Sequence, residues 1–311
     1  MKKISIVISV YNEESNIEKL LEEIWLNVPN RIEYELIFVN DGSSDQTEEL
    51  IMLLCQKDNR IKLINFTRNY GHEIAMSAGM DVSSGDAVIF MDGDLQHPPS
   101  ILPELIQNWE NGNKIVLTKR TGNAEKTFLY KTLASIYYNI LGYLSEFEMR
   151  TNSPDFRLID RYYIEILKTF KESSRLFRGL LYIINAKDDT AIIEFVAPER
   201  FSGETKYSFQ KLANLAIDSI LAFSIKPLRI ALIFSITLFI LSMFFGLYFL
   251  LEWFFIGNEA PGFMTLLLST TILGSANLFV LSVIGEYIGR IHIESKHRPL
   301  YTLKNIVNFD K

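Results

Sequence analysis

The sequence predicts an α/β protein: a doubly wound, mostly parallel sheet followed by interfacial helices and two transmembrane helices. Three observations predict it. Strand and helix signals alternate through the first third of the chain, polar clusters fall at the ends of the successive strands, and two long runs beyond Ile230 carry no charge. Alternating signals in that order imply parallel βαβ units covered by helices on both faces.

The elements follow in order. Ile4 to Val10 is a β-branched strand, and Ile17, Leu20, Leu21, Ile24 and Val28 recur at helical spacing after it. Leu36 to Val39 is a short apolar strand that runs into Asn40-Asp41-Gly42-Ser43, a turn and helix-cap cluster. A helix from about Asp45 to Cys55, a strand at Ile61 to Phe66, a helix from His72 to Val82 and a strand at Ala87 to Met91 complete the pattern. The clusters Tyr11-Asn12-Glu13, Asn40-Asp41, Arg68-Asn69 and Asp92-Gly93-Asp94 end these strands, along the edge where open α/β sheets gather ligands.

The second half reads differently. No charge interrupts 230–251 or 261–285, and each run reaches the ~20 residues a spanning helix needs. Their length disfavours the competing reading of two buried core helices. The link carries Glu252 and Glu259 but no Lys or Arg, whereas Lys226, Arg229, Arg290, Lys296 and Arg298 flank the pair. The positive-inside rule therefore puts both flanks in the cytoplasm. The plan is a cytoplasmic domain at 1–208, a juxtamembrane amphipathic helix at 209–229, two transmembrane helices with a short extracytoplasmic loop at 230–289, and a cytoplasmic tail at 290–311. The amphipathic face is Phe209, Leu212, Leu215, Ala216, Ile220 and Phe223, at the membrane interface or packed on the domain.

Composition narrows the function classes. A net charge of −6 argues against a general nucleic-acid binder, because phosphate backbones select basic surfaces. The single cysteine, Cys55, excludes an intramolecular disulfide and reads as a small buried residue on a helix. The N-terminal apolar stretch is too short and too quickly acidic for a signal peptide.

Asp92-Gly93-Asp94-Leu95-Gln96 is the sharpest local feature. Two carboxylates one residue apart, with an amide oxygen, supply part of the shell of a hard divalent cation and leave positions for the oxygens of a nucleotide diphosphate. Taken alone, the motif also occurs in ordinary surface loops. Asp41 can accept hydrogen bonds from a ribose or a base. Helix capping is the alternative for Asn12 or Ser15 at one helix start, and the favoured reading of Ser43, Ser44 and Asp45 at the next.

The series V-I-S-V-Y-N-E-E, V-N-D-G-S-S-D, R-N-Y-G-H-E, M-D-G-D-L-Q-H-P-P, S-P-D-F-R-L-I-D-R, R-F-S-G-E-T-K-Y-S, S-I-K-P-L-R and I-G-E-Y-I-G-R with K-H-R-P-L-Y covers almost the whole chain. In this order, with two terminal spans, it resembles the family 2 glycosyltransferases. Within them it resembles the polyprenyl-phosphate sugar transferases, a group including dolichol-phosphate mannose synthase and bactoprenol glucosyltransferase, and it looks most like the latter branch. The resemblance implies a nucleotide-sugar transferase sheet of type A. It implies that Asp92, Asp94 and Gln96 surround Mg²⁺ or Mn²⁺ and the donor diphosphate, and that Tyr11, Glu13, Asp41 and Asp92 serve the nucleotide. It further implies Arg200 and Lys206 on the diphosphate and Arg120, Lys131 and Ser135 on the acceptor phosphate, in keeping with the affinity of Arg and Lys for phosphates. Asp155 and Arg157 are the catalytic candidates: Asp155 either removes a proton, or orients a phosphate-binding group such as Arg157 or stabilises charge building on the sugar.

The sequence departs from the family pattern at Ser9, where Pro is common, and at Gly93, where Ala is common and the change is expected to be harmless. His72 stands where Lys is frequent, and Ser153-Pro154 replaces a Gly-containing run. The expected reaction is inverting transfer of a hexose, glucose from UDP-glucose for preference, to polyprenyl (undecaprenyl) phosphate at the cytoplasmic membrane face. GDP-mannose, UDP-GlcNAc and modified amino-sugar donors stay open. A processive polysaccharide synthase is disfavoured because Q-x-x-R-W and further spans are missing, and a non-catalytic membrane protein by the intact D-G-D-L-Q. The implied partners are the donor, the lipid acceptor, the membrane and, by resemblance, further copies joined through the membrane helices.

Overall fold

The computed structural model describes residues 2–121, 154–170, 172, 177–184, 186, 188–196, 198, 224–256 and 262–309. Their chain divides into two units, one built on a sheet and including the C-terminal segment from Arg298, the other holding two long helices.

In the first unit, β1 (Lys3–Val10), β2 (Glu33–Asn40), β3 (Ile61–Phe66) and β4 (Ala87–Asp92) alternate with α1 (Ile17–Asn27), α2 (Thr47–Lys57), α3 (His72–Val82) and α4 (Leu102–Glu110). Then come β5 (Ile115–Thr121), β6 (Arg157–Asp160), α5 (Arg161–Thr169), α6 (Phe177–Ile184), β7 (Thr190–Val196) and, after the long helices, β8 (Leu303–Val307). The sheet order is β7-β5-β6-β4-β1-β2-β3-β8. β4-β1-β2-β3 is wholly parallel and β5 pairs with β7 in parallel, while β6 and β8 run antiparallel to their neighbours.

Successive side chains of a strand point to opposite faces, and β1 fills both. Ile4, Ile6, Ile8 and Val10 join Ile17, Leu20, Leu21 and Ile24 of α1, Ile51 and Cys55 of α2, and Leu105 of α4 in one core cluster. The opposite face takes α3, whose Gly79 lies so near Val7 that an added Cβ would stand 2.2 Å from Val7 Cγ1. Cys55 is buried, and burial pushes its thiol up to about 11, in keeping with a packing role.

The register aligns the functional edge. Val10 faces Asn40, Asn40 faces Asn65, and Ser9 faces Asp92, so the first four strands deliver their following loops side by side. Two features have no counterpart in the sequence pattern. β6 is a four-residue strand inserted antiparallel between β4 and β5, and part of the expected C-terminal tail forms the edge strand β8.

In the second unit, α7 (Lys226–Ile256) and α8 (Phe263–Ser295) extend beyond both apolar runs. Each contains a segment long and apolar enough to cross a membrane, Lys226–Tyr248 and Ser269–Ser295. Phe234 meets Phe279 edge-on at 5.9 Å, and the Tyr287 hydroxyl donates to the Ser224 carbonyl at 2.6 Å. Most of the expected amphipathic helix, 209–223, lies outside the described residues.

Candidate active site

The loops after β1 and β2 are cross-linked. Asn12 N–H donates to Ser43 Oγ at 2.9 Å, and Ser44 N–H donates back to Asn12 Oδ1 at 2.8 Å. Glu13 N–H donates to Thr47 Oγ1, Glu14 N–H to Asp45 Oδ2, and Gln46 N–H to Glu14 Oε2. This narrows the capping expectation, which Asp45 meets at the start of α2. The helix-flanking residues are Asn16 and Gln46, neither with a side-chain cap bond. Asp45 Oδ1 does accept from Thr47 N–H, but the other polar side chains join loop to loop. Asn12 adopts φ +56°, a conformation that Asn tolerates better than most residues. Beside it, Tyr11 is 43% exposed, and Glu13 accepts from Asn16 Nδ2.

Asp41 directly follows β2 and is buried. Its two oxygens accept the N–H groups of Tyr70 at 2.6 Å and Gly71 at 2.9 Å. Burial lifts its carboxyl above the ordinary value, against the lowering pull of those two N–H groups and of His72. Gly42 has φ +70°, and a Cβ there would stand 2.5 Å from the Arg68 carbonyl carbon, so the loops after β2 and β3 touch backbone to backbone. These contacts fix the 67–71 loop that leads into α3.

The loop after β4 holds the paired carboxylates. His97 is buried and its Nδ1 accepts the Asp92 N–H at 2.9 Å. The same ring stacks on Phe156 at 5.1 Å, tying this loop to the segment of Asp155. Gln96 N–H donates to Asp94 Oδ1 at 3.0 Å, and Leu95 has φ +63°, a conformation that a bulky side chain rarely takes. A Cβ at Gly93 would lie 2.6 Å from Val10 Cγ1, so alanine there would require Val10 to move.

His72, the first residue of α3, joins the two candidate carboxylates. Its Nδ1 lies 3.3 Å from Asp92 Oδ1 and its Nε2 3.7 Å from Asp155 Oδ2. Burial alone would lower His72, but Asp92, Asp155 and Glu73 together raise it above its ordinary value. Asp155 Oδ1 is paired with Arg157, which is only 2% exposed and also donates to the Pro154 carbonyl at 3.3 Å. Arg157 therefore reaches the site through Asp155 rather than across open solvent. Glu73 accepts from Phe177 N–H at 3.1 Å; burial first, and the Asp155 charge second, push it up to about 7.

Asp92 Oδ1 is buried with no hydrogen-bond partner among the described residues, because His72 Nδ1 approaches without hydrogen-bond geometry. An oxygen left open in this way fits a hard cation. No group of three His, Cys, Asp or Glu among the described residues could hold a metal unaided. The residues fit a cation that takes the rest of its shell from a ligand.

The structure thus brings together Asp92, Asp155 and Arg157, with Asp94 and Gln96 in the same loop as Asp92, and sets Tyr11, Glu13 and Asp41 in the adjoining loops. Arg120 stands exposed on β5, beyond Leu117, which faces Arg157 across the strand pair. Lys131, Ser135, Ser153, Arg200 and Lys206 lie outside the described residues. His97 and Glu73 went unremarked in the sequence. Both belong to motifs already singled out, so a polar residue within a strand-end motif was the available signal.

A doubly wound sheet with carboxylates gathered at its carboxyl edge is a frame that glycosyltransferases share with other nucleotide-binding enzymes. The family model described as Glycosyl transferase family 2 matches residues 5–167. A bactoprenol glucosyl transferase of Shigella phage SfV is 38% identical over 97% of this chain and 98% of its own. A prophage bactoprenol glucosyl transferase homolog of Escherichia coli K12 is 36% identical over 98% and 99%, and an uncharacterized glycosyltransferase of Bacillus subtilis 39% identical over 96% and 93%. A solved glucosyl-3-phosphoglycerate synthase from Mycobacterium tuberculosis, in complex with phosphoglyceric acid, shares the fold with a TM-score of 0.51. It is 21% identical, over 71% of this chain and 78% of that one. The chain belongs to glycosyltransferase family 2.

Proposed function

We propose that the protein is a membrane-anchored, metal-dependent hexosyltransferase that moves glucose from UDP-glucose to polyprenyl phosphate, with inversion at the anomeric carbon. The observation that carries the site is the open Asp92 Oδ1, aligned through His72 with Asp155. The full-length likeness to two relatives named as bactoprenol glucosyl transferases, or homologs of them, supports the acceptor and the sugar.

Asp92, Asp94 and Gln96 would hold Mg²⁺ or Mn²⁺, which when bound supplies positive charge for the leaving diphosphate. Tyr11, Glu13 and Asp41 serve the nucleoside, Asp41 by shaping the 67–71 loop as well as by its remaining lone pairs. Arg200 and Lys206 serve the diphosphate; Arg120, Lys131 and Ser135 hold the acceptor phosphate.

In the reaction a lipid phosphate oxygen forms a bond to the anomeric carbon, and the bond from that carbon to the β-phosphate oxygen breaks. UDP leaves with the electron pair. A phosphate with a second pKa of ~6 is already ionised near neutral pH, so no strong base is required. Asp155, braced by Arg157, therefore orients the reacting groups and faces the positive charge that builds on the sugar. His72 stands beside Asp92, where negative charge grows on the leaving group, and the neighbouring carboxylates favour its charged form.

The same basic flanks that bound the apolar helices support a catalytic unit on the cytoplasmic side. The test is a donor panel: detergent-solubilised protein, a short polyprenyl phosphate, Mn²⁺, and labelled UDP-glucose, UDP-GlcNAc, UDP-galactose or GDP-mannose. A glucolipid formed from UDP-glucose and abolished by EDTA is the expected result. A product from another donor alone would replace the sugar assignment, and EDTA-resistant transfer would remove the metal.

A further inference from the structure

The K-H-R-P-L-Y stretch near the C-terminus takes no part in the reaction as described, yet the structure brings its end to the site. β8 pairs antiparallel with β3, with Asn305 facing Asn65 and Leu303 facing Phe66. Just before it, Tyr301 stacks on Phe66 at 4.9 Å. Thr302 is the residue that leaves the ladder and engages the loop. Its carbonyl accepts Thr67 N–H at 3.1 Å, and its hydroxyl shares hydrogen bonds with Thr67 Oγ1 at 2.5 Å and Tyr70 Oη at 2.6 Å.

The loop so held is the one whose other side Asp41 grips at the Tyr70 and Gly71 N–H groups. Tyr70 is thus pinned twice, by its backbone to β2 and by its hydroxyl to the C-terminal segment. Two residues on, His72 stands 3.3 Å from Asp92 and 3.7 Å from Asp155. A shift of the loop would carry His72 with it, since Gly71 follows Tyr70 directly and its carbonyl accepts the N–H groups of Ile74 and Ala75 in the first turn of α3.

We infer that the Tyr70–Thr302 hydroxyl bridge makes the C-terminal segment a positioning element of the donor site, holding the 67–72 loop in the conformation that receives the nucleotide sugar. Thr302 and Tyr70 act through His72 and the loop, without themselves touching the reacting atoms. The inference rests on the nucleotide-sugar reading above.

The experiment uses the full-length protein in detergent with Mn²⁺, and reads UDP affinity by calorimetry beside steady-state kinetics with UDP-glucose and polyprenyl phosphate. Tyr70→Phe and Thr302→Val should each raise donor KM and UDP Kd roughly three- to ten-fold, the range for a lost neutral hydrogen bond, with acceptor KM held within about two-fold. The double variant should fall short of the product of the two single effects, because both remove the Tyr70–Thr302 contact. Thr302→Ser keeps the hydroxyl and should restore the affinity. Lys304→Ala removes a different contact of the same strand, its pair with Glu48, and should leave donor KM unchanged. The inference is overturned if donor KM and UDP Kd stay at wild-type values in both bridge variants, or if Lys304→Ala moves them as far. Wild-type protein that binds UDP but transfers no sugar would sink the proposed reaction while the Kd series still judges the bridge. Wild-type protein that binds no UDP overturns both.

Discussion

Asp155 and Arg157 do two jobs that a single substitution confounds. The guanidinium is 2% exposed, and its carboxylate partner also faces His72. Removing one member of a buried pair typically costs about 3–5 kcal/mol, because the other is left charged in a poor solvent. Asp155→Asn should therefore lower both stability and transfer. The double variant Asp155→Asn/Arg157→Met removes the stranded charge, so its melting temperature should recover most of the loss while transfer stays low. Thermal unfolding and donor turnover on the same preparations check this. Recovery of transfer along with stability would reduce Asp155 to a structural partner. At this scale the sequence was partly legible. Asp92 and Asp155 were chosen from their motifs, but their connection through His72 was not. Whether a histidine bridges two carboxylates depends on which strand ends are neighbours, and residue spacing along the chain does not carry that.

At the scale of elements, the strands were legible and their antiparallel additions were not. β1 to β4 announce themselves by β-branched runs followed by polar clusters. β6, with its buried Arg157, breaks the apolar pattern, and β8 alternates exposed with half-buried residues because it lies on the sheet edge. The opposite edge of the parallel strands is held by Glu35, which bonds Ser5 and Ser84 and pairs with Lys3 and Lys62, each at 2.9 Å. Burial pushes this carboxyl up, but the hydrogen bonds of Ser5, Ser84, Lys62 and Lys3 together outweigh it and bring it to about 2. A folded pKa below the unfolded one contributes stability that is present above the unfolded value and lost as pH falls through the folded one. For Glu35 that window runs from about pH 4.5 down to about 2, and the contribution is on the order of 3 kcal/mol. Glu35→Gln mimics the protonated group. Its destabilisation should be large at pH 7, shrink below pH 4.5, and vanish near pH 2. Denaturant midpoints of the two proteins across that range decide it; a gap that persists at pH 2 would point to packing rather than charge.

For the whole molecule, the division into a sheet unit and a helical unit was legible as a shift in composition, because lipid and water select different surfaces. The return of the chain to the sheet after the second helix was not, since 303–307 is too short and too polar on its own to signal a strand. α7 and α8, at 1.5 Å per residue, are about 46 and 50 Å long, more than the ~30 Å hydrocarbon core of a bilayer. Their outward side chains include Phe239, Met243, Phe244, Phe254, Leu266 and Leu278, all more than half exposed. Such a surface is costly in water and favourable in lipid. The protein should therefore stay in the membrane pellet through high salt and alkaline carbonate and leave it only in detergent. With the basic residues Lys226, Arg229, Arg290, Lys296 and Arg298 on the inner side, trypsin should cleave the N-terminal unit in inverted vesicles and spare it in right-side-out ones. Release by carbonate would mean that the two helices rest on the surface. Cleavage only from the outer side would mean that the catalytic unit faces away from the nucleotide-sugar pool, and the proposed donor would then have to be supplied across the membrane.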